Sequence, residues 1–252
     1  MSRDYHTAIL VTNRTDYFSN HDMLSGIHRG LTALGIAAEL FIVAPDGHDL
    51  TPFMERMAAA GAKTFLIDLN AKMRFESTKP FKKFSFVTDH PAVMLEFLAA
   101  TPPGNVFGYV DRSHMDFHAA IGLPQTCVFF PHGGPSPDQT PLPMAKRDIG
   151  ALFIGRLEGP SRIDALKDSL KGTPKLAIDV IIETALAAVA DEPLWRAFTD
   201  ACRDHGMEPL DFDAAGISAA ITAAGAFAEA YNRRRVLEAL DGLAVTHVGH
   251  VA

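Results

Sequence analysis

Three short clusters carry the side chains best suited to acid–base and binding chemistry: Thr88-Asp89-His90-Pro91, Asp111-Arg112-Ser113-His114 and Pro131-His132-Gly133-Gly134. Each follows an apolar run, Phe84-Ser85-Phe86-Val87, Val106-Phe107-Gly108-Tyr109-Val110 and Cys127-Val128-Phe129-Phe130. Asp89 beside His90 has the composition of a general base, since a neighbouring carboxylate orients an imidazole and raises its basicity. The same Asp89 is equally suited to cap a helix opening at Pro91 and running to Leu98, with His90 filling space. Arg112 offers a guanidinium to an anionic group, while Asp111 or Ser113 also reads as a helix cap. After His132, Gly133 and Gly134 allow the backbone to come close to a ligand; a plain turn is the alternative.

Placement gives these clusters their meaning. In an open α/β sheet, ligands bind beyond the carboxyl ends of the strands. Eight of the eleven histidines precede residue 145, and His90, His114 and His132 fall at strand ends. The expectation is therefore one crevice shared by three imidazoles. The strands are predicted from apolar runs alternating with helical patterns, the signature of βαβ units. Ala8–Thr12, Leu40–Val43, Thr64–Ile67, Phe84–Val87, Val106–Val110 and Cys127–Phe130 give six strands for one mostly parallel, doubly wound, Rossmann-like sheet over residues 1–144. Met23, Leu24, Ile27, Leu31 and Leu34 form one helical face closed by Gly35, and Pro52–Ala60 is helical.

Five prolines from Pro131 to Pro143 make a linker or a binding loop. Residues 145–252 then read as a mainly helical region with two isolated strands, Ile149–Gly155 and Ala244–Gly249. Thr173 caps a helix with Pro174 at its first position. Leu194, Trp195, Phe198 and Cys202 line a second helix, and a third spans about 213–240, its Arg233-Arg234-Arg235 run reading as a solvated face rather than a phosphate or RNA site.

Composition narrows the class. The chain has 252 residues, 48% of them hydrophobic, with 23 basic against 30 acidic side chains and a formal charge of −7. An acidic chain without concentrated Lys and Arg is a poor phosphate-backbone binder, so nucleic acid is not expected as a partner. Cys127 and Cys202 form neither a CxxC metal site nor a disulfide framework, which points to a reducing, cytoplasmic compartment. The apolar stretch at the N-terminus is too short for a signal sequence, and Ala177–Ala190 is too short and too charged to span a membrane. The motifs of dinucleotide-binding Rossmann proteins, P-loop nucleotidases and α/β-hydrolases are all missing from the sequence. No metal and no resident cofactor are expected.

Taken in order, the three clusters, the basic pair Lys146-Arg147 before Ala151-Leu152-Phe153-Ile154-Gly155, and Asn232-Arg233-Arg234-Arg235-Val236-Leu237 leading to Val248-Gly249 resemble the first part of bacterial spore-maturation-type glycosyltransferases. The resemblance runs from about Ala8 to Gly249. It implies a GT-B architecture of two facing Rossmann-like domains, the nucleotide sugar held mainly by the second and a protein or glycan acceptor mainly by the first. Residues 145–252 cannot build a whole second domain. The expectations are thus a truncated chain, a shortened paralogue, or one that borrows the missing half from a partner; a homo-oligomer is a separate possibility.

On this reading the function is sugar transfer from a nucleotide-sugar donor, this chain carrying the acceptor half. His132 or Asp89 is the base, and His90, Asp111, Arg112, His114, Gly133 and Gly134 are substrate-binding. The alternative is a catalytically silent binding or assembly module. A sugar-nucleotide epimerase or hydrolase is a third possibility.

Overall fold

A computed structural model describes residues 5–13, 19–43, 50–132, 143, 146, 151–154, 159–242 and 245–248. The chain divides into two compact units, 1–136 and 137–252.

The first unit is α/β. Its strands are β1 (Thr7–Asn13), β2 (Ala37–Val43), β3 (Thr64–Leu69), β4 (Lys82–Val87), β5 (Val106–Tyr109) and β6 (Thr126–Phe129), and all are parallel in the order β2-β1-β3-β4-β5-β6. The helices are α1 (Ser19–Ala33), α2 (Leu50–Ala58), α3 (Leu95–Ala99) and α4 (Arg112–Ala120). This is the six-stranded Rossmann-like sheet expected from the alternation of apolar runs and helical patterns. Strand order reverses between β1 and β3, which makes their carboxyl ends the topological switch point.

Strand residues alternate between faces, so each run divides into two packing sets. Ile9, Val11 and Leu66 pack with Phe53 and Met57 of α2, while Ala8, Leu10, Ile67, Leu69 and Phe86 pack with Leu24 of α1. A third cluster joins Val87, Phe107 and Tyr109 to Met94 and Leu98. Ala8, Ile9, Leu10 and Val11 are all fully buried, as a central strand covered on both faces requires. Gly35, at φ 74°, closes α1 as expected: its N–H reaches the Thr32 carbonyl while that of Ile36 reaches Leu31.

Two differences bear on the site. The helix expected from Pro91 is a turn through residue 94, followed by α3. The cause lies at His90, whose Nδ1 accepts from the Ala92 N–H at 3.2 Å while its carbonyl takes the Val93 N–H at 2.9 Å. Asp89 caps nothing there.

The second unit contains β7 (Ala151–Ile154), α5 (Ile163–Ser169), α6 (Lys175–Val189), α7 (Leu194–Asp204), α8 (Ala214–Ala239) and β8 (Val245–Val248). Its two strands, read as isolated from the sequence, pair in parallel with each other. α6 packs against both α7 and α8 around Leu166, Ala185, Ala224 and Phe227. Pro174 itself occupies the N-cap of α6, one position later than the sequence suggests, and Asp213 caps α8 by accepting from the Gly216 N–H at 2.7 Å. Arg233 pairs with Glu229, Arg235 lies 5.9 Å from the Tyr231 ring and Arg234 is exposed, as a helix face open to solvent would have it. No described helix is long and apolar enough to cross a membrane.

Candidate functional site

β4 and β5 are adjacent parallel strands, and their carboxyl ends deliver His90 and His114 to one place. The two rings meet edge to face with centroids 4.9 Å apart. His90 also lies 5.4 Å from Phe117, and His114 lies 6.1 Å from Tyr109, so both imidazoles rest on the aromatic layer formed by β5 and α4. His114 comes from the first turn of α4, which Asp111 starts: its Oδ1 accepts the Ser113 N–H and the Ser113 hydroxyl, each at 2.8 Å. The capping reading of Asp111 is thereby realised, and the same cap sets where His114 points.

Burial decides the charge of this pair. It drives His90 down to about 3, with the neighbouring His114 adding to the effect and Asp111 opposing it. Burial likewise lowers His114, against the pull of Asp111 and Asp89. Both rings are neutral at pH 7. At Asp111, burial pushes upward, but the two Ser113 hydrogen bonds outweigh it and hold the carboxyl below the ordinary range. Because His90 Nδ1 accepts from Ala92, the proton of the neutral ring resides on Nε2. His90 Nε2 and His114 Nδ1 are buried without a hydrogen-bond partner among the described residues. Two unsatisfied polar atoms on neighbouring rings at strand ends call for a ligand or water; in the interior of the sheet Asp68 Oδ1 and Ser85 Oγ also lack a hydrogen-bond partner.

Asp89 stands exposed at the rim. Its Oδ2 accepts from Asn70 Nδ2 at 2.8 Å, and its Oδ1 takes no hydrogen bond from a described residue. Arg112 is also exposed, with its guanidinium carbon 4.3 Å from the centre of the Phe129 ring. It does not pair with Asp111, so its charge faces outward from β6.

His132 does not join the pair, which corrects the expectation of three imidazoles in one crevice. It is exposed and meets the edge of Phe86 at 5.8 Å. Phe86 belongs to the α1 side of the sheet, whereas His90 and His114 sit with Tyr109 and Phe117 on the α4 side. The physical reason is strand alternation. Phe130 packs on Phe84 and Phe86 at 5.3 and 5.1 Å, and this anchors the chain leaving β6 to the opposite face. Gly133 and Gly134 lie outside the described residues.

Sequence reasoning passed over three contributors. Asn70, just after β3, holds Asp89 and accepts the Thr88 N–H at 2.8 Å. Asp68 and Lys83 form a buried pair at 3.4 Å between β3 and β4, with Lys83 Nζ also donating to the Met73 carbonyl at 3.1 Å. Burial raises the Asp68 carboxyl and Lys83 opposes this. His118 bridges Tyr109 and the Gln125 carbonyl, each at 2.9 Å, and ties α4 to β5 and to the entry of β6. Of the left-handed pair Asn70 and Ala71, at φ 55° and 54°, only Asn70, a residue type tolerated in that region, offers a local hint in the sequence.

Among the described residues, no group of three or more His, Cys, Asp or Glu side chains is arranged to hold a metal ion. No protein-family profile matches the chain, and neither a curated protein nor a solved structure matches it.

Proposed function

We propose that the first unit is the acceptor-binding half of a glycosyltransferase that draws on a nucleotide sugar. The observation carrying this reading is the neutral His90–His114 pair, with His90 Nε2 and His114 Nδ1 unpaired among the described residues, beside Asp89 at the carboxyl ends of adjacent parallel strands. A neutral imidazole is suited to donate or accept a hydrogen bond from an uncharged hydroxyl. A ring driven down to about 3 is a poor base at neutral pH, so His90 positions the acceptor and Asp89 takes its proton.

In the step proposed, the acceptor O–H proton passes to the Asp89 carboxylate while the oxygen forms a bond to the anomeric carbon. The bond from that carbon to the diphosphate breaks, and its electron pair leaves with the nucleoside diphosphate. Arg112, exposed on Phe129, provides a positive charge at the same rim for anionic groups. His132 is not needed for this step.

The low basicity of His90 and the exposure of Asp89 also favour a second reading, binding of a hydroxylated ligand without turnover. Titration calorimetry with UDP-, GDP- and CMP-sugars, followed by product analysis with protein and glycan acceptors, separates the two. Acceptor-dependent release of the leaving nucleotide, UDP, GDP or CMP, supports transfer, binding of donor or acceptor without release supports the silent module, and no heat with any donor or acceptor removes the nucleotide-sugar reading.

A further inference from the structure

We propose that Asn70 is the positioning residue of the site: it fixes Asp89 and the exit of β4 from the neighbouring strand β3. Asn70 uses every polar group in reach. Its backbone N–H donates to the Phe86 carbonyl at 2.9 Å, extending the β3–β4 pairing past its last strand residue. Its side-chain Oδ1 accepts the Thr88 N–H at 2.8 Å and the Thr88 hydroxyl at 3.3 Å, and its Nδ2 donates to Asp89 Oδ2 at 2.8 Å. The side chain is thus a clamp between two strand exits at the edge of the topological switch point.

The backbone shows that this clamp is more than a convenient turn. Asn70 and Ala71 both lie in the left-handed region, at φ 55° and 54°, where glycine is unstrained, asparagine is tolerated at some cost and alanine is strained. If only the turn mattered, glycine would serve better at position 70. An asparagine 6% exposed, with both ends of its amide committed to residues 88 and 89, indicates that the amide is what the position requires. Ala71, next in line, buries its methyl against Val87, Leu98 and Phe107, so the strained pair is held from below by the core.

The inference relies on Asp89 being the base only for its effect on turnover; the clamp itself is read without any substrate. In the full-length protein, Asn70→Gly relieves the backbone and removes the amide, while Asn70→Asp keeps an acceptor for Thr88 but turns a carboxylate toward Asp89. Asn70→Gly is expected to melt only modestly below the wild type, because backbone relief offsets part of the three lost hydrogen bonds, and to exchange its Thr88 amide hydrogen about tenfold faster, with the β4 interior unchanged. With an active donor and acceptor, kcat falls by about tenfold or more in both variants while KM stays within about twofold, because orientation and not affinity is lost. Thr88 stays protected in Asn70→Asp.

Unchanged Thr88 exchange in Asn70→Gly, or wild-type turnover in either variant, would overturn the proposal. A wild type that transfers no sugar, combined with fast Thr88 exchange in Asn70→Gly, would sink the transferase reading and leave the clamp established.

Discussion

The burial that keeps the His90 ring neutral costs stability at low pH. In the unfolded chain an imidazole titrates near the ordinary value of about 6.5, whereas in the fold burial has driven His90 to about 3. Between these values the unfolded state binds a proton that the folded state refuses, so stability falls as pH drops below about 6.5, by up to about 1.4 kcal/mol per pH unit from this ring. His114, lowered in the same direction, adds to the slope. Urea melts at pH 7, 6, 5 and 4 test this: the wild type is expected to weaken steadily, and His90→Gln to show a flatter profile. That these two histidines come together was legible from their place after neighbouring strands. Their neutrality was not, because it arises from Phe117 and Tyr109 closing around them, contacts made across elements. Asp111 was legible as a cap because capping is local, acting two residues along the chain.

At the scale of elements, a buried ion pair joins β3 and β4. Lys83 and Asp68 are 7% and 0% exposed, and neither charge has water to fall back on. Removing one partner of such a pair is costly because the other charge is stranded, so Lys83→Met is expected to destabilise the first unit by about 3 kcal/mol or more. Replacing both in Asp68→Leu/Lys83→Met should recover most of that loss, as measured by urea denaturation; a double variant as weak as the single one would contradict this account. Gly108 works differently, since a Cβ there would meet Phe84 Cζ at 2.4 Å and Phe130 Cβ at 3.1 Å. Gly108→Ala should therefore cost about 1–3 kcal/mol through overpacking, and it should loosen the Phe130 anchor that keeps His132 on the α1 face. The runs from Phe84 and Val106 announced both strands, but an apolar run does not show which face a later residue will occupy. Phe130 decided that for His132, through contacts with β4 that no local pattern encodes.

At the scale of the whole molecule, two units each build a core of their own. The six-stranded sheet of the first was readable because buried parallel strands are nearly continuous apolar runs separated by helical periodicity. A fragment of residues 1–136 is expected to unfold cooperatively in urea with native-like circular dichroism; a non-cooperative transition would contradict the independence of its core. The pairing of β7 with β8 was not readable, since strands far apart in sequence reveal no partner until the intervening helices are folded. The functional proposal rests on the α4 side of the first sheet and not on the proline-rich exit. Acceptor-dependent release of nucleoside diphosphate by Asp89→Asn and His132→Ala, each compared with the wild type, tests that most directly. The expected result is a loss of about a hundredfold or more for Asp89→Asn, in the range a general base contributes, and near-wild-type turnover for His132→Ala. Full activity in Asp89→Asn, or its loss in His132→Ala alone, would contradict the account.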